Sequence, residues 1–155
     1  MEILLKPMSK EEFTQYFENK VVRYAEVLSQ NVHEEVNEQP ISKAHRLLHN
    51  LLSKGIETPD HYLFHIVNDD QTIGYVWIKV EKEKKSAFLY EIYLFEQFRG
   101  MGFGTKVMTT MEEWILQQGI TYFKLHVFGS NTGARKLYEE LGFEIAGINM
   151  IKMIN

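Results

Sequence analysis

Hydrophobic and polar residues follow one another along the chain with periods that change from helix-like to strand-like and back. In the first third, apolar residues recur every three or four positions in two stretches, as they do on one face of a helix. Ser9 and Glu12 precede the first stretch at the spacing of a capping box, in which each side chain hydrogen bonds to the other residue's amide. The pattern therefore predicts a short strand at 2–6 and helices at about 9–30 and 41–54.

The middle of the chain predicts three strands. Residues 62–67 and 72–80 are rich in β-branched and aromatic side chains, and the Asn-Asp-Asp run at 68–70 between them is typical of a hairpin turn. A charged run at 81–85 leads into a third strand at 86–94. Strands joined by short turns run antiparallel, so these three are predicted to form an antiparallel meander.

The last third alternates between helix and strand. Three closely spaced glycines open an apolar stripe of helical spacing that ends at Gly119. Residues 121–128 predict a strand, and a right-handed helical crossover would place it parallel to the strand before the glycines. A short helix at 131–141 and a last apolar strand at 143–153 complete the prediction.

Composition places the chain among soluble globular proteins. Its 155 residues, 45% hydrophobic and 25% charged, are enough for one domain, 1–155, with one substantial core. A net charge of −4 gives no general attraction to nucleic acid or to anionic membranes. The absence of cysteine excludes disulfides, a thiolate nucleophile and cysteine-based metal sites. No run of about 18 apolar residues occurs and the start does not resemble a signal peptide, so we expect a cytoplasmic protein.

Two groups of polar residues in the first third are weak candidates for binding sites. His45 and His49 stand four residues apart, as zinc ligands often do, but the acid and third ligand of a metal motif are missing around them. We therefore expect no metal site there, and a partly exposed helix face instead. Glu34, Glu35 and Glu38 are predicted to form a solvated acidic loop, with attraction of a cationic polyamine as the alternative.

The stretch from 94 to 106 is the strongest candidate for a binding site. Gly100, Gly102 and Gly104 remove Cβ where the backbone must turn sharply and approach a ligand. The helix that follows offers unpaired N–H groups and the positive end of its dipole, which together suit phosphate groups. The alternative is a turn that only needs flexibility. The spacing is not that of a Walker loop, and Thr105 stands where a dinucleotide fingerprint requires glycine.

A second motif lies about 30 residues downstream, and the two motifs are more informative together than either is alone. Residues 131–143 read Asn-x-x-Ala-x-x-Leu-Tyr-x-x-Leu-Gly-Phe, after Arg-x-x-Gly-x-Gly at 99–104. Together they resemble the general-control-related N-acetyltransferase (GNAT) superfamily, most strongly over about 86–143. The resemblance implies an α+β (α/β) fold with a mixed central sheet of six to seven strands. This sheet would be mostly antiparallel with one splayed parallel pair, flanked by about four helices.

The resemblance also implies acetyl-coenzyme A as the acetyl donor, bound where the two parallel strands splay apart. Residues 92–94 would pair their backbone with the pantetheine arm as an added strand would. Backbone amides at 100–105 would hold the pyrophosphate, Asn131 would contact the pantetheine side, and Tyr138 would lie by the thioester sulfur. The implied donor contacts are Ile92, Tyr93, Leu94, Arg99, Gly100, Met101, Gly102, Phe103, Gly104, Thr105, Asn131 and Tyr138.

Acetylation of an amine requires removal of a proton. An amine of pKa about 10.4 is neutral in only about one molecule in 2,000 at pH 7, so a general base is useful. His126, with an ordinary pKa of about 6.5, needs no adjustment, whereas Glu91, at about 4.3, needs burial to raise its pKa. Relatives place the base on either strand or work through water, so all three alternatives stay open. Tyr138 is interpreted as a hydrogen-bond donor to the departing thiolate.

The sequence thus predicts an N-acetyltransferase for a primary amine, which is a small molecule, a protein N-terminus or a lysine side chain. Because cysteine is absent, direct attack in a ternary complex is expected. One alternative is a catalytically silent acyl-coenzyme A sensor, and another is a nucleotide-binding module. The apolar last strand offers an edge for a possible homodimer.

Overall fold

A mixed sheet with helices on both faces forms the body of the protein. The computed structural model describes residues 2–31 and 39–154. The strands are β1 (Ile3–Pro7), β2 (His61–Asn68), β3 (Gln71–Glu81), β4 (Ser86–Leu94) and β5 (Tyr122–Leu125). The helices are α1 (Lys10–Asn31), α2 (Pro40–Leu51), α3 (Phe103–Gln117) and α4 (Thr132–Glu140), with short 3-10 turns at Gly55–Glu57 and Glu96–Phe98.

The strands lie in the order β1-β2-β3-β4-β5, which is also their order along the chain. The first four strands pair antiparallel, and β4 pairs with β5 in parallel across α3. This confirms the mixed sheet with one parallel pair. The predicted count of six to seven strands is wrong, because the described chain forms five.

The missing strand is the one predicted at 143–153. The described residues of this segment belong to no strand or helix, and from 144 to 154 every side chain is exposed. The apolar pattern indicates that the segment should be buried, but a strand also needs a backbone neighbour, and none of the described strands pairs with it. The strand predicted at 121–128 is also shorter than expected, because β5 ends at Leu125.

Two hydrophobic cores lie on the two faces of the sheet. Successive residues of a strand point to opposite faces. On β3, Val76 and Ile78 therefore enter a core with α3, while Trp77 enters a second core with α1 and α2. Met111 of α3 and Leu48 of α2 are buried in the first and the second core respectively. The sheet thus separates the helices of the two sequence motifs from the helices of the N-terminal third.

Local sequence features explain the start of α1 and the turn between β2 and β3. The Ser9 amide donates to Glu12 Oε1 at 2.8 Å and the Glu12 amide donates to Ser9 Oγ at 3.1 Å, which confirms the capping box of α1. Asp69 and Asp70 adopt positive φ angles of 49° and 62° in the hairpin between β2 and β3. Aspartate tolerates this left-handed conformation better than most residues, and two such residues match the twist of a hairpin.

The acidic residues Glu34, Glu35 and Glu38 lie outside the described residues. Within the described ranges, no helix has the length and the hydropathy that would let it cross a membrane.

Candidate functional site

The parallel pairing of β4 with β5 ends after four residue pairs. Their parallel ladder runs from Ser86 opposite Tyr122 to Leu89 opposite Leu125. Beyond that point β4 continues to Leu94, still paired with β3 on its other side. The side of residues 90–94 that faces away from β3 therefore has no strand partner in the part of the chain that the structure describes. The sequence resemblance predicts that the pantetheine arm lies along this edge.

A tight connection leads from the end of β4 into α3. Arg99 Nε donates to the Leu94 carbonyl oxygen at 2.8 Å, which closes the loop over the Glu96–Phe98 turn. Gly100 and Gly102 follow with φ angles of 75° and 83°, in the region that residues with a Cβ rarely adopt. A Cβ built on either glycine meets no atom of the protein within 4 Å. The backbone conformation requires glycine here, and the space beside both residues is open.

The first turn of α3 is presented without a side-chain cap. Gly102 occupies the N-cap position and provides no side-chain cap for the amides that follow it. Phe103 is 7% exposed and packs in the core, which anchors the helix start, while Met101 is 60% exposed. Thr105 is also exposed. Because the first amides of a helix have no partners within it, this end is suited to an anion.

The two sequence motifs lie side by side. A Cβ on Gly104 would be 3.8 Å from Leu137 Cδ2, so the start of α3 passes close to α4. Asn131 is the N-cap of α4, and its Oδ1 accepts a hydrogen bond from the Ala134 amide at 3.2 Å. Tyr138 packs against the first core with its ring 5.8 Å from that of Phe143. Burial raises the pKa of Tyr138, so its hydroxyl keeps its proton at neutral pH.

Glu91 belongs to a buried ion-pair network on the other face of the sheet. Tyr16 Oη donates to its Oε1 at 2.8 Å, and Lys20 Nζ donates to its Oε2 at 2.9 Å. Arg23 Nη1 also donates to Oε2, and the Glu91 side chain is only 10% exposed. Burial alone would raise the pKa of Glu91, but the attraction and hydrogen bonds of the two cations outweigh it, and the pKa is lowered. The carboxylate therefore stays charged and is a weak base.

His126 lies just beyond β5 and not within it, which corrects the prediction that it stands on the strand. Its side chain is exposed, and its ring lies 5.0 Å from that of Phe128. The two candidate bases are thus in different environments. His126 is in the loop that leads to α4, and Glu91 is held by α1.

Sequence reasoning named Tyr93 and Arg99 as donor contacts but missed Arg23, which joins α1 to the end of β4. The Tyr93 ring lies 4.1 Å from the Arg23 guanidinium and 5.2 Å from that of Arg99. Arg23 Nη2 is buried without a hydrogen-bond partner among the described residues. A signal was present, because an acid in a strand of mostly apolar residues requires a cation, and Tyr16, Lys20 and Arg23 share one helical face.

The His45 and His49 rings stack 6.1 Å apart on α2. No group of three or more metal-binding side chains occurs among the residues that are described.

Comparisons with known proteins agree with this geometry. The model of the Acetyltransferase (GNAT) family matches residues 16–143. The N-acetyltransferase YycN of Bacillus subtilis, named as uncharacterized, is 34% identical over 158 aligned positions that cover 99% of this chain and all of YycN. YdgE of the same organism, likewise named as an uncharacterized N-acetyltransferase, is 28% identical over 99% of both chains.

Solved structures extend the comparison to the fold. The crystal structure of YycN superposes with a TM-score of 0.92 and 32% identity, covering 99% of both chains. The structure of AAC(6')-Iy in complex with the bisubstrate analog CoA-S-monomethyl-acetylneamine superposes with a TM-score of 0.57. It covers 100% of this chain and 99% of that one, and at 13% identity it shows the fold alone. Since the family model spans most of the chain and YycN matches its full length, the chain belongs to the GNAT family of acetyltransferases.

Proposed function

We propose that this acetyltransferase moves an acetyl group from acetyl-coenzyme A to the nitrogen of a primary amine. The observation that carries the proposal is the uncapped start of α3 beside the unpaired edge of β4. The backbone amides at the start of α3 suit a pyrophosphate, and the unpaired backbone of β4 suits the amides of a pantetheine arm. The N-acetyltransferase relatives support transfer to nitrogen.

Open space beside the glycine turn supports this choice of donor. The open space beside Gly100 and Gly102 leaves room for phosphate oxygens next to the backbone amides of 100–105. Residues 92–94 offer their outer backbone edge, although the Leu94 carbonyl already accepts from Arg99. Asn131 uses its Oδ1 as a helix cap, so its amino group is the part that would face the donor.

Acetyl-coenzyme A supplies the activated acetyl group as a thioester. Tyr138 would donate a hydrogen bond to the sulfur as negative charge develops on it. Because burial raises the pKa of Tyr138, complete proton transfer is even less favourable than from an ordinary tyrosine. Its contribution is a hydrogen bond that strengthens during the reaction.

The base that accepts the proton of the amine is His126 or a water molecule. Both oxygens of Glu91 already accept hydrogen bonds, and its lowered pKa opposes protonation at neutral pH. His126 is exposed in the loop between β5 and α4, where an incoming amine can reach it. A general base contributes about 10²–10⁴ to the rate.

The test is release of coenzyme A in the presence of a panel of small amines, peptide N-termini and lysyl peptides. A thiol reagent measures it without background, because the chain has no cysteine. We expect turnover with at least one amine class and a large loss in His126→Gln. His49→Gln, on the exposed face of α2, is the matched control.

Other outcomes would identify a different function. Tight binding of coenzyme A without turnover for any amine would indicate a sensor. Stabilisation against heat by ATP or NAD, but not by acetyl-coenzyme A, would indicate a nucleotide-binding module. Unchanged turnover in His126→Gln would leave water as the base.

A further inference from the structure

The Arg23 side chain carries a buried donor that the described part of the protein does not use. Its Nε donates to Asn19 Oδ1 at 2.6 Å and its Nη1 donates to Glu91, whereas its Nη2 has no hydrogen-bond partner among the described residues. Burial of a polar group without a hydrogen bond is costly, and such groups in native proteins are normally satisfied by the protein, by water or by an ion. Nη2 is therefore a candidate for a contact with a ligand.

The cluster around Arg23 also has more positive than negative charge. Lys20 and Arg23 both pair with Glu91, which in the described ranges is the only acid within ion-pair distance of either cation. Tyr16, the third partner of Glu91, stays neutral, because burial and the neighbouring carboxylate raise its pKa. One carboxylate thus balances two largely buried cations. Since a buried charge is stable only when it is paired, the cluster can accommodate one further negative charge.

Three tyrosine rings surround the Arg23 guanidinium. The Tyr93 ring lies 4.1 Å from it, and the rings of Tyr16 and Tyr75 each lie 5.9 Å from it. Aromatic faces attract a cation but carry no net charge, so they do not neutralise it. They also keep water away, and a hydrogen bond to an anion is stronger in such surroundings than in water. Tyr93 is only partly buried, so rotation of its side chain would open the guanidinium to a ligand.

Arg23 lies beside the strand edge that the proposed acetyl donor would use. Tyr93 stands between Ile92 and Leu94 on β4, where the side away from β3 has no described strand partner. The side chains of Ile92 and Leu94 pack against the first core, whereas Tyr93 contacts Arg23 of α1 on the other face of the sheet. An acceptor that reached the thioester from the α1 face would therefore pass the Arg23 guanidinium.

We infer that Arg23 binds a carboxylate of the acceptor, so that the substrate is an amine that also carries a carboxylate, such as an amino acid. Nη2 donates to one carboxylate oxygen, and the added negative charge balances the second cation. A carboxylate brings one negative charge and matches the surplus, whereas a phosphate group brings up to two. The inference rests on the proposed function, because it names the class of amine that the same site accepts.

Two variants and matched acceptors test this role. Arg23→Gln and Lys20→Gln each remove one of the two cations that pair with Glu91 and leave the other to balance it, so both should fold. The acceptors are glycine, β-alanine, γ-aminobutyrate and lysine, each compared with its carboxamide at equal concentrations of neutral amine. A hydrogen bond between charged groups corresponds to about 10–100-fold in affinity. We expect the natural protein and Lys20→Gln to show a KM lower by this factor for an amino acid than for its carboxamide, and Arg23→Gln to lose the difference.

Calorimetry with the same compounds, in the presence and absence of coenzyme A, measures binding without acetyl transfer. If no amine is acetylated but the amino acids bind more tightly than their carboxamides and Arg23→Gln removes this preference, the proposed function fails and the carboxylate site stands. No difference between the amino acids and their carboxamides in either measurement would overturn the inference. So would an equal loss for both in Arg23→Gln, which is what a purely structural role predicts, or tighter binding of an aminoalkyl phosphonate than of the amino acid of the same length.

Discussion

Replacement of Glu91 by glutamine removes the charge that balances two buried cations. Lys20 and Arg23 are 13% and 18% exposed, and Glu91 is 10% exposed, so solvent screens the network only weakly. Removing one partner of a buried ion pair costs about 3–5 kcal/mol, because the remaining charge is left uncompensated. Glutamine keeps the shape and some of the hydrogen bonds, so we expect a loss of about 3 kcal/mol in the free energy of unfolding. For a domain of this size, that lowers the Tm by about 6–12 °C.

Urea unfolding followed by tryptophan fluorescence measures this loss, since Trp77 is buried in the second core. We expect a lower midpoint with an unchanged slope. Glu112→Gln, on the exposed surface of α3, is the control and should change stability by no more than about 0.5 kcal/mol.

The dependence on pH follows from the lowered pKa of Glu91. A carboxyl with a lowered pKa stabilises the fold fully above its unfolded pKa of about 4.3, and this contribution is lost as the pH falls through the folded value. The natural protein should therefore lose more stability on acidification than Glu91→Gln.

Turnover per folded molecule separates the two roles that Glu91 can have. A structural role predicts less than a tenfold change, whereas loss of a general base predicts about 10²–10⁴. A variant of Glu91 with normal stability but almost no turnover would refute the reasoning and make Glu91 the base.

Three further changes test other parts of the site and the fold. Tyr138→Phe should lower turnover by on the order of 10² with little change in acetyl-coenzyme A affinity, since removal of a donor to developing charge has about this effect; equal losses in both would remove its proposed role. Gly102→Val should abolish acetyl-coenzyme A binding in calorimetry, while Gly119→Val, with a similar φ of 77° at the other end of α3, should lose stability but keep affinity. Burial lowers the pKa of His61, whose Nδ1 accepts from Trp77 Nε1 at 2.9 Å. Stability should therefore fall as the pH drops below about 6.5, and His61→Gln should flatten this dependence in urea unfolding.

Local sequence signals predicted most of the fold, because the residues concerned determine the backbone conformation at their own positions. The capping pair at Ser9 and Glu12 sets the start of α1, and two consecutive aspartates turn the β2–β3 hairpin. The helix between β4 and β5 imposes the parallel pair. Where the prediction failed, a distant part of the chain decides the outcome. The sequence predicts a strand up to residue 128, but β5 and its ladder with β4 both end at Leu125.

The last predicted strand failed for a related reason. An apolar pattern at 143–153 indicates that the segment should be buried, but it does not specify a backbone partner for a strand. The site shows the same difference between features that are local in the sequence and contacts between distant parts of the chain. The glycines and the helix start could be found locally, whereas the partners of Glu91 lie about 70 residues earlier in the chain and enter only through the packing of α1 on the sheet.

The position of Tyr93 between two guanidinium groups has a consequence for how the halves of the molecule respond to each other. One group belongs to α1 and the other to the glycine turn. An acceptor that displaced α1 would change the contact of Arg23 with this ring, which also contacts Arg99. Such an acceptor would alter the affinity for the donor by the same factor as the donor alters the affinity for the acceptor, because linkage between two ligands is reciprocal.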